Sequence, residues 1–173
     1  MFEIVQAPAE TTSKGIKLFI AGGIRNCPNW QNELIKRLFE DERIKEEIYE
    51  EDDIRIIIFN PRCNEVPEEN SQIKWEYDKL KKSDIISFWF SEGSQNHITL
   101  FEYGSWFKSN KQIIVGCHPN YEKRNNVKVQ TELVNPRFKI NEDFESFYED
   151  LVDTLIGRII QQKNSHINGL FKS

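Results

Sequence analysis

Four short, predominantly apolar runs constrain the fold of this chain most strongly. They occupy residues 16–21 (IKLFIA), 54–59 (IRIIIF), 85–90 (IISFWF) and 112–117 (QIIVGC). A strand with one face in water alternates apolar and polar residues, whereas a strand buried on both faces is apolar throughout. Segments with helical spacing separate these runs. The pattern therefore predicts a parallel sheet with helices packed on both of its faces.

The helices are predicted from apolar residues that recur every three or four positions. One follows Pro28, with Asn26 or Asn29 as its cap, and two others cover residues 71–83 and 98–108. The apolar stripes of the first and last helices are Trp30, Leu34, Ile35 and Leu38, and Phe144, Phe147, Leu151, Leu155 and Ile159, respectively.

The length of 173 residues suits one domain with a buried core. We predict a single Rossmann-like or flavodoxin-like α/β domain, residues 1–173, with about five mostly parallel strands and a core that spans residues 16–161. A fifth strand is expected within residues 127–140. Residues 1–14 and 164–173 are expected to be loose ends or arms.

The net charge of -5 is concentrated in one segment. Residues 40–53 hold nine acids and two bases, a net charge of -7, and the remaining 19 acids and 21 bases leave +2. No basic stripe is evident, which disfavours a nucleic-acid polymer as partner. The acidic segment is expected to be a solvated extension of the first helix, on the side opposite the ligand loops.

Neither a membrane span nor a disulfide framework is predicted. No apolar run approaches the roughly 20 residues that a membrane-spanning helix needs. The start MFEIVQAPAE lacks the basic and apolar parts of a signal peptide. Cys27, Cys63 and Cys117 form no CxxC pair, so a structural zinc site is not expected. We therefore expect a cytoplasmic protein without a membrane partner.

The loop after the first apolar run begins with residues 22–26 (GGIRN). Ligands of open α/β sheets bind beyond the carboxyl ends of the strands, where this loop is predicted to lie. Two glycines let a ligand approach the backbone, the following helix start favours an anion, and Arg25 could bind a phosphate. The alternative is a tight turn with a solvent-facing arginine. Arg62, in the next such loop, could bind a phosphate or pair with an acid.

Glu102 is the sharpest catalytic candidate. It lies about one turn inside helix 98–108, among mostly apolar neighbours. A carboxylate there is expected to stay ionised, to face the ligand crevice and to attack an anomeric carbon. The alternative is a glutamate that caps its helix or forms a salt bridge. Glu76, in the preceding helix, could face the same crevice, although a lone helical glutamate is usually solvated.

Four segments together resemble the nucleoside 2-deoxyribosyltransferase family, in particular its deoxyribosyltransferase-like branch, and its nucleotide-hydrolysing relatives. They are LFIAGGIR (18–25), FNPR (59–62), QIKWEYDKLKKSD (72–84) and ITLFEYG (98–104). No segment is specific alone, but the four occur in the family's order at sensible spacing. The resemblance implies a Rossmann-like enzyme that acts on N-glycosidic bonds of small nucleosides or nucleotides, and a homo-oligomer whose pocket a neighbouring subunit often completes.

The resemblance also implies roles for individual residues. Glu102 matches the nucleophile, and Glu76 matches the acid, more often Asp, that contacts the base and assists its departure. Asn96 matches a polar position that contacts sugar or phosphate. Phe-Glu-Tyr-Gly replaces the more familiar Glu-Leu-Gly around the nucleophile. The expected substrate-binding residues are Gly22, Gly23, Ile24, Arg25, Asn26, Trp30 as a stacking candidate, Arg62, Asn96 and His97.

The implied chemistry needs no metal and no redox cofactor. A carboxylate under the anomeric carbon stabilises the positive charge that develops there and traps the sugar as a glycosyl-enzyme. A second base then accepts the sugar in a transferase, or water accepts it in a hydrolase. Three functions stay open from the sequence: a transferase, a hydrolase of nucleoside 5′-monophosphates, and a non-catalytic nucleotide-binding protein of the same fold.

Overall fold

Within residues 1–49, 54–63, 68 and 70–170, which the computed structural model describes, five strands form one parallel sheet flanked by six helices. In chain order the elements are β1 (Phe2–Gln6), β2 (Ile16–Gly22), α1 (Trp30–Glu40), α2 (Glu42–Tyr49), β3 (Ile56–Asn60), α3 (Ser71–Lys82), β4 (Ile85–Phe90), α4 (His97–Trp106), β5 (Gln112–Cys117), α5 (Arg124–Val134) and α6 (Phe144–Leu170).

The strand order is β1-β3-β2-β4-β5, and each neighbouring pair is parallel. β2 lies in the middle, with Leu18 opposite both Ile58 of β3 and Ile85 of β4. The chain passes from β2 to β3 on one side and then crosses to β4 on the other. Such a reversal opens a crevice at the carboxyl end of the central strand. The loops after β2, β3 and β4 therefore meet there, and the predicted α/β fold class is confirmed.

Each face of the sheet carries its own apolar core. Because consecutive strand residues point to opposite faces, Leu18 and Ile20 pack with α1, α2 and α6, whereas Phe19 and Ala21 pack with α3, α4 and α5. Every residue of β3 and β4 is buried. Burial on both faces explains why the central strands appear in the sequence as predominantly apolar runs.

The fifth strand lies at the N-terminus, so its expected place within residues 127–140 is wrong. β1 pairs with β3 at one edge of the sheet, and residues 2–6 are therefore not a loose arm. Its sequence FEIVQ is short and of mixed polarity, as suits an edge strand. Residues 124–134 instead form α5, which buries Val127 and Thr131, four positions apart on one helical face.

The acidic segment forms a separate helix instead of an extension of α1. Asp41 has an extended backbone that ends α1, and α2 then buries Ile44 completely in the core shared with α6. Residues 50–53 of the segment lie outside the described residues. The apolar stripe predicted for the last helix is confirmed in α6, which reaches Leu170, so the expected loose end is helical up to that residue.

Candidate active site

Two glycines let the loop after β2 run between a tryptophan and the loop after β4. A Cβ atom on Gly22 would lie 2.4 Å from the Trp30 ring, and one on Gly23 would lie 2.2 Å from the Ser94 hydroxyl oxygen. Both distances are shorter than van der Waals contact, so only glycine fits. Trp30 itself is 3% exposed and packs edge-on against Phe147. It therefore supports the loop from beneath instead of offering an open stacking face.

The carbonyl oxygen of Gly23 is an unusually crowded acceptor. The indole nitrogen of Trp30, the side-chain amide of Gln31 and the thiol of Cys27 each donate to it at 3.1 Å. Three donors on one carbonyl hold the Gly23–Ile24 peptide in a single orientation. Asn26 then takes a left-handed backbone conformation with φ of 56°, which turns the chain toward α1.

The two predicted arginines differ in how firmly they are held. Arg25 is exposed, and no acid in the described part of the chain pairs with it. Arg62 is half-buried and donates from Nε to Gln31 Oε1 at 2.7 Å and from Nη2 to the carbonyl of Pro28 at 3.2 Å. The loop after β3 is thus tied to the loop after β2 through Arg62.

Asn96 faces the same crevice from the loop after β4. Its side-chain oxygen would lie 2.7 Å from a Cβ on Gly23, which places it beside the glycine loop. It has left-handed backbone angles, and its buried side-chain Nδ2 meets no acceptor in the described residues. An unpaired buried donor is costly unless a ligand or water satisfies it. Asn96 is therefore a candidate ligand contact.

His97 lies on a different side of α4 from Glu102. It is exposed and lines a groove of about 440 Å³ between α4 and α5, together with Leu100, Tyr103 and Gly104. Glu102 does not line this groove. His97 is the first residue of α4, and its side chain does not lie on the side of the helix where the two predicted carboxylates meet.

Glu76 of α3 and Glu102 of α4 form a pair of half-buried acids. Burial and, to a smaller extent, the negative charge of Glu76 together raise the pKa of Glu102 to about 8. Burial also raises the pKa of Glu76, against a hydrogen bond of 2.9 Å from Gln72 that lowers it. In the part of the chain that the structure describes, no cation pairs with either carboxylate. At neutral pH the pair therefore holds a proton.

The raised pKa of Glu102 contradicts the expectation that this side chain stays ionised. α4 begins at His97, so Glu102 is its sixth residue and lies beyond the first turn, where the helix dipole acts most strongly. Burial near a second carboxylate outweighs the dipole. Two neighbouring acids that share a proton are what general acid and nucleophile chemistry at a glycosidic bond requires.

The described residues suggest neither a metal centre nor a membrane segment. No three His, Cys, Asp or Glu side chains among them gather closely enough to hold a metal ion. Every helix in the same residues is too short or too polar to act as a membrane span.

Comparison with known families adds an independent observation. The family model described as "Nucleoside 2-deoxyribosyltransferase like" matches residues 15–121. The chain belongs to this family. The match begins just before β2 and ends after β5, so the nucleoside 2-deoxyribosyltransferase-like region holds the glycine loop, Arg62, Glu76, Asn96 and Glu102. No curated protein matches the chain significantly.

Sequence reasoning missed two glutamines that support the site. Gln31 is completely buried and contacts both Gly23 and Arg62, and Gln72 bridges Glu76 and the carbonyl of Pro61. A signal for Gln31 was present: it lies three positions before Leu34, on the apolar stripe of α1. A polar residue on a buried stripe needs partners, and these partners belong to the site.

Proposed function

We propose that this chain cleaves or exchanges the N-glycosidic bond of nucleosides or nucleotides, with Glu102 as the nucleophile. The observation that carries the proposal is the pair of half-buried carboxylates, Glu76 and Glu102, which has no partner cation in the described residues and which Gln72 connects to the carbonyl of Pro61 in the loop after β3. Membership in the nucleoside 2-deoxyribosyltransferase-like family supports the same reaction class.

The proton that the pair holds has a direct use in the proposed reaction. As the bond between the anomeric carbon and the base nitrogen breaks, its electron pair leaves with the base. Glu102, which holds the proton of the pair, passes it to Glu76 as the substrate binds, and Glu76 delivers it to that base or donates a hydrogen bond to it. The Glu102 carboxylate attacks the anomeric carbon and forms an ester with the sugar. A second base or water then attacks the anomeric carbon and gives up a proton to Glu76, and the ester bond breaks so that Glu102 leaves as a carboxylate.

The loops after β2, β3 and β4 are proposed to bind the substrate. The glycine loop, residues 22–26, lets the sugar or its 5′ group approach the backbone, and Arg62 and Asn96 border the same space. Trp30 acts in this proposal as a support of the loop, and His97, which faces the groove between α4 and α5, has no assigned role.

A hydrolase of nucleoside 5′-monophosphates is the second candidate, and Arg25 favours it. Its guanidinium is exposed at the glycine loop, and no acid of the described residues neutralises it. An unpaired arginine beside backbone amides suits a phosphate. The non-catalytic reading is less well supported, because it would require Glu102 to be neutralised by a salt bridge, and the described residues provide none.

The protein is proposed to act as a homo-oligomer. Four large apolar side chains on α3 and α4 face solvent: Ile73 (66% exposed), Tyr77 (60%), Ile98 (66%) and Phe101 (75%). The rings of Tyr77 and Trp106, 6.0 Å apart, connect the two helices into one surface. An exposed apolar surface beside a ligand crevice suits a second copy of the chain. Light scattering at several protein concentrations should give a mass of at least two chains, and a single-chain mass would contradict this proposal.

The catalytic proposal is tested by following base release by chromatography. The purified chain is incubated with a panel of ribo- and deoxynucleosides and their 5′-monophosphates, with and without a second free base. Exchange that requires the second base indicates a transferase, and release in its absence indicates a hydrolase. Greater turnover of monophosphates than of nucleosides supports the second candidate. No release or exchange across the panel contradicts both enzymatic functions.

A further inference from the structure

Gln31 is the most completely enclosed polar side chain near the site. It lies in the first turn of α1 and is 0% exposed. Its amide nitrogen donates to the Gly23 carbonyl at 3.1 Å, and its amide oxygen accepts from Arg62 Nε at 2.7 Å. One side-chain amide therefore connects the loop after β2 to the loop after β3, and each end of it acts in the only direction its chemistry permits.

The first hydrogen bond fixes the direction of a backbone amide. A peptide unit is planar and trans, so its N–H points opposite to its carbonyl. Since the Gly23 carbonyl is drawn toward α1 by Gln31, Trp30 and Cys27, the N–H of Ile24 points away from α1. No acceptor in the described residues takes that N–H. It is available to an anion in the crevice.

The second hydrogen bond orients a charged group. Arg62 uses Nε on Gln31 and Nη2 on the Pro28 carbonyl, which fixes the plane of the guanidinium. The remaining nitrogen, Nη1, has no acceptor in the described part of the chain. A guanidinium held by two bonds keeps its free edge in one direction, and so loses little freedom when it binds a ligand.

We propose that Gln31 is a positioning residue that holds the Ile24 amide and the Arg62 guanidinium as one anion-binding unit for the 5′ side of the substrate. The substrate part of this inference rests on the proposed function. The amide is suited to the task because it donates and accepts at once. A glutamate could accept from Arg62 but could not donate to Gly23, and a leucine of similar volume could do neither.

The kinetic test compares Gln31→Leu with wild type on a nucleoside 5′-monophosphate and on the corresponding nucleoside. We expect the KM for the monophosphate to rise about tenfold, with kcat within about threefold, and both constants for the nucleoside to stay within about twofold. Gln112→Leu, at an exposed position on the opposite edge of the sheet, serves as the control and should match wild type. Equal losses on both substrates would overturn the proposal, because a general packing defect has that effect.

A double-mutant cycle tests the connection to Arg62. If Gln31 acts partly through Arg62, then Gln31→Leu should raise the monophosphate KM by less than about threefold in an Arg62→Ala background. Full additivity would overturn the link. Arg62→Lys probes the same contact without altering α1, so it decides the matter if Gln31→Leu does not fold. It keeps the charge but lacks the guanidinium nitrogens, and we expect about a fivefold rise in the monophosphate KM.

Binding of inorganic phosphate separates this inference from the proposed reaction. Phosphate titrated into wild type should move the amide resonances of Ile24 and Arg25, and Gln31→Leu should bind it about tenfold more weakly. Wild type that binds phosphate but releases no base would refute the reaction and leave the role of Gln31 intact. Equal phosphate affinity in wild type and Gln31→Leu, or no phosphate binding by wild type, would overturn the role of Gln31 whatever the turnover.

Discussion

Two regions of this molecule shift the pKa values of their acidic side chains in opposite directions. Between α1 and α6, Asp41 accepts hydrogen bonds from Arg43 at 2.7 and 3.1 Å and from the Tyr148 hydroxyl at 2.6 Å. Burial opposes its ionisation, but these bonds outweigh burial and lower the pKa of Asp41 to about 2. Arg43 also pairs with Glu149 at 2.6 Å. Here the fold stabilises negative charge.

Between α3 and α4, no cation of the described residues stabilises the negative charge of Glu76 or Glu102. Glu102 has a pKa of about 8, because it is buried and faces the negative charge of Glu76. Asp78 shows that α3 itself is not the cause: only two residues from Glu76, it pairs with Lys79 and Lys82, which lower its pKa. Glu76 and Glu102 have raised pKa values although a neighbouring acid in the same helix is paired with lysines. This contrast marks the two glutamates as candidates for a functional site.

The largest predicted effect is the loss of turnover in Glu102→Gln. The amide keeps the shape of the side chain but cannot attack the anomeric carbon, so we expect base release to fall by about 10⁴-fold. The comparison variant is Glu46→Gln, which changes an exposed glutamate of α2 and should stay within about twofold of wild type. Base release by Glu102→Gln at the wild-type rate would contradict a catalytic role for the acids between α3 and α4.

The next effect is that of Glu76→Gln, which removes the proton donor to the leaving base. We expect base release to fall by about 10² to 10³-fold. Asp78→Asn in the same helix removes the ion pairs to Lys82 and to the buried Lys79, which keeps its pair with Glu10, and should change turnover less than about twofold. Substrates whose bases leave readily should be affected less by Glu76→Gln. Equal losses of base release for Glu76→Gln and Asp78→Asn would show that the effect comes from a disturbed α3 and not from the missing Glu76 carboxylate.

The stability of the fold should depend on pH through Glu102. Its pKa in the folded chain, about 8, lies above the ordinary value of 4.5, so the folded state holds the proton more tightly. Stability from this group is therefore full below pH 4.5 and is lost as the pH rises to 8. Glu102→Gln should then be more stable than wild type at pH 8, by about 4 kcal/mol, and equally stable near pH 4. Urea unfolding at both values measures this difference, and a less stable variant at pH 8 would contradict it.

Asp41→Asn should have the opposite sign and the smallest effect. The pKa of Asp41 is lowered from 3.8 to about 2, so its ionised form stabilises the folded chain above pH 3.8, and this contribution is lost as the pH falls to 2. We expect the variant to lose about 1 to 2 kcal/mol at pH 7, with the difference vanishing near pH 2, and turnover to stay at the wild-type level. A loss of turnover without a loss of stability would contradict the separation of the two regions.

The sequence predicts the central strands and the helices around them well, because burial on both faces leaves predominantly apolar runs. It does not reveal β1, since an edge strand of five residues with mixed polarity resembles an arm. It misplaces the fifth strand in α5, whose pattern is broken by Asn125, Asn126 and Gln130 and whose Leu133 is 80% exposed. Local patterning identifies an element only where that element is strongly buried.

The candidate site could be predicted in position but not in electrostatics. Loops at the carboxyl ends of parallel strands must meet, so the grouping of the glycine loop, Arg62 and Asn96 follows from topology. The protonation of Glu102 depends on how closely α3 and α4 pack, which spacing in the sequence does not specify. The same is true of Gln31, whose two partners are 8 and 31 positions away.

The most direct test of the account is to find where the sugar becomes attached to the enzyme. A nucleoside fluorinated at the 2′ position slows both steps of the reaction and is chosen with a base that leaves readily, so that the glycosyl-enzyme accumulates. Mass spectrometry of the intact chain, followed by peptide mapping, should show one added sugar on Glu102 in wild type and none in Glu102→Gln. Base release by wild type with the sugar on another residue, or with no attachment under conditions of rapid release, would contradict the assignment of Glu102 as the nucleophile.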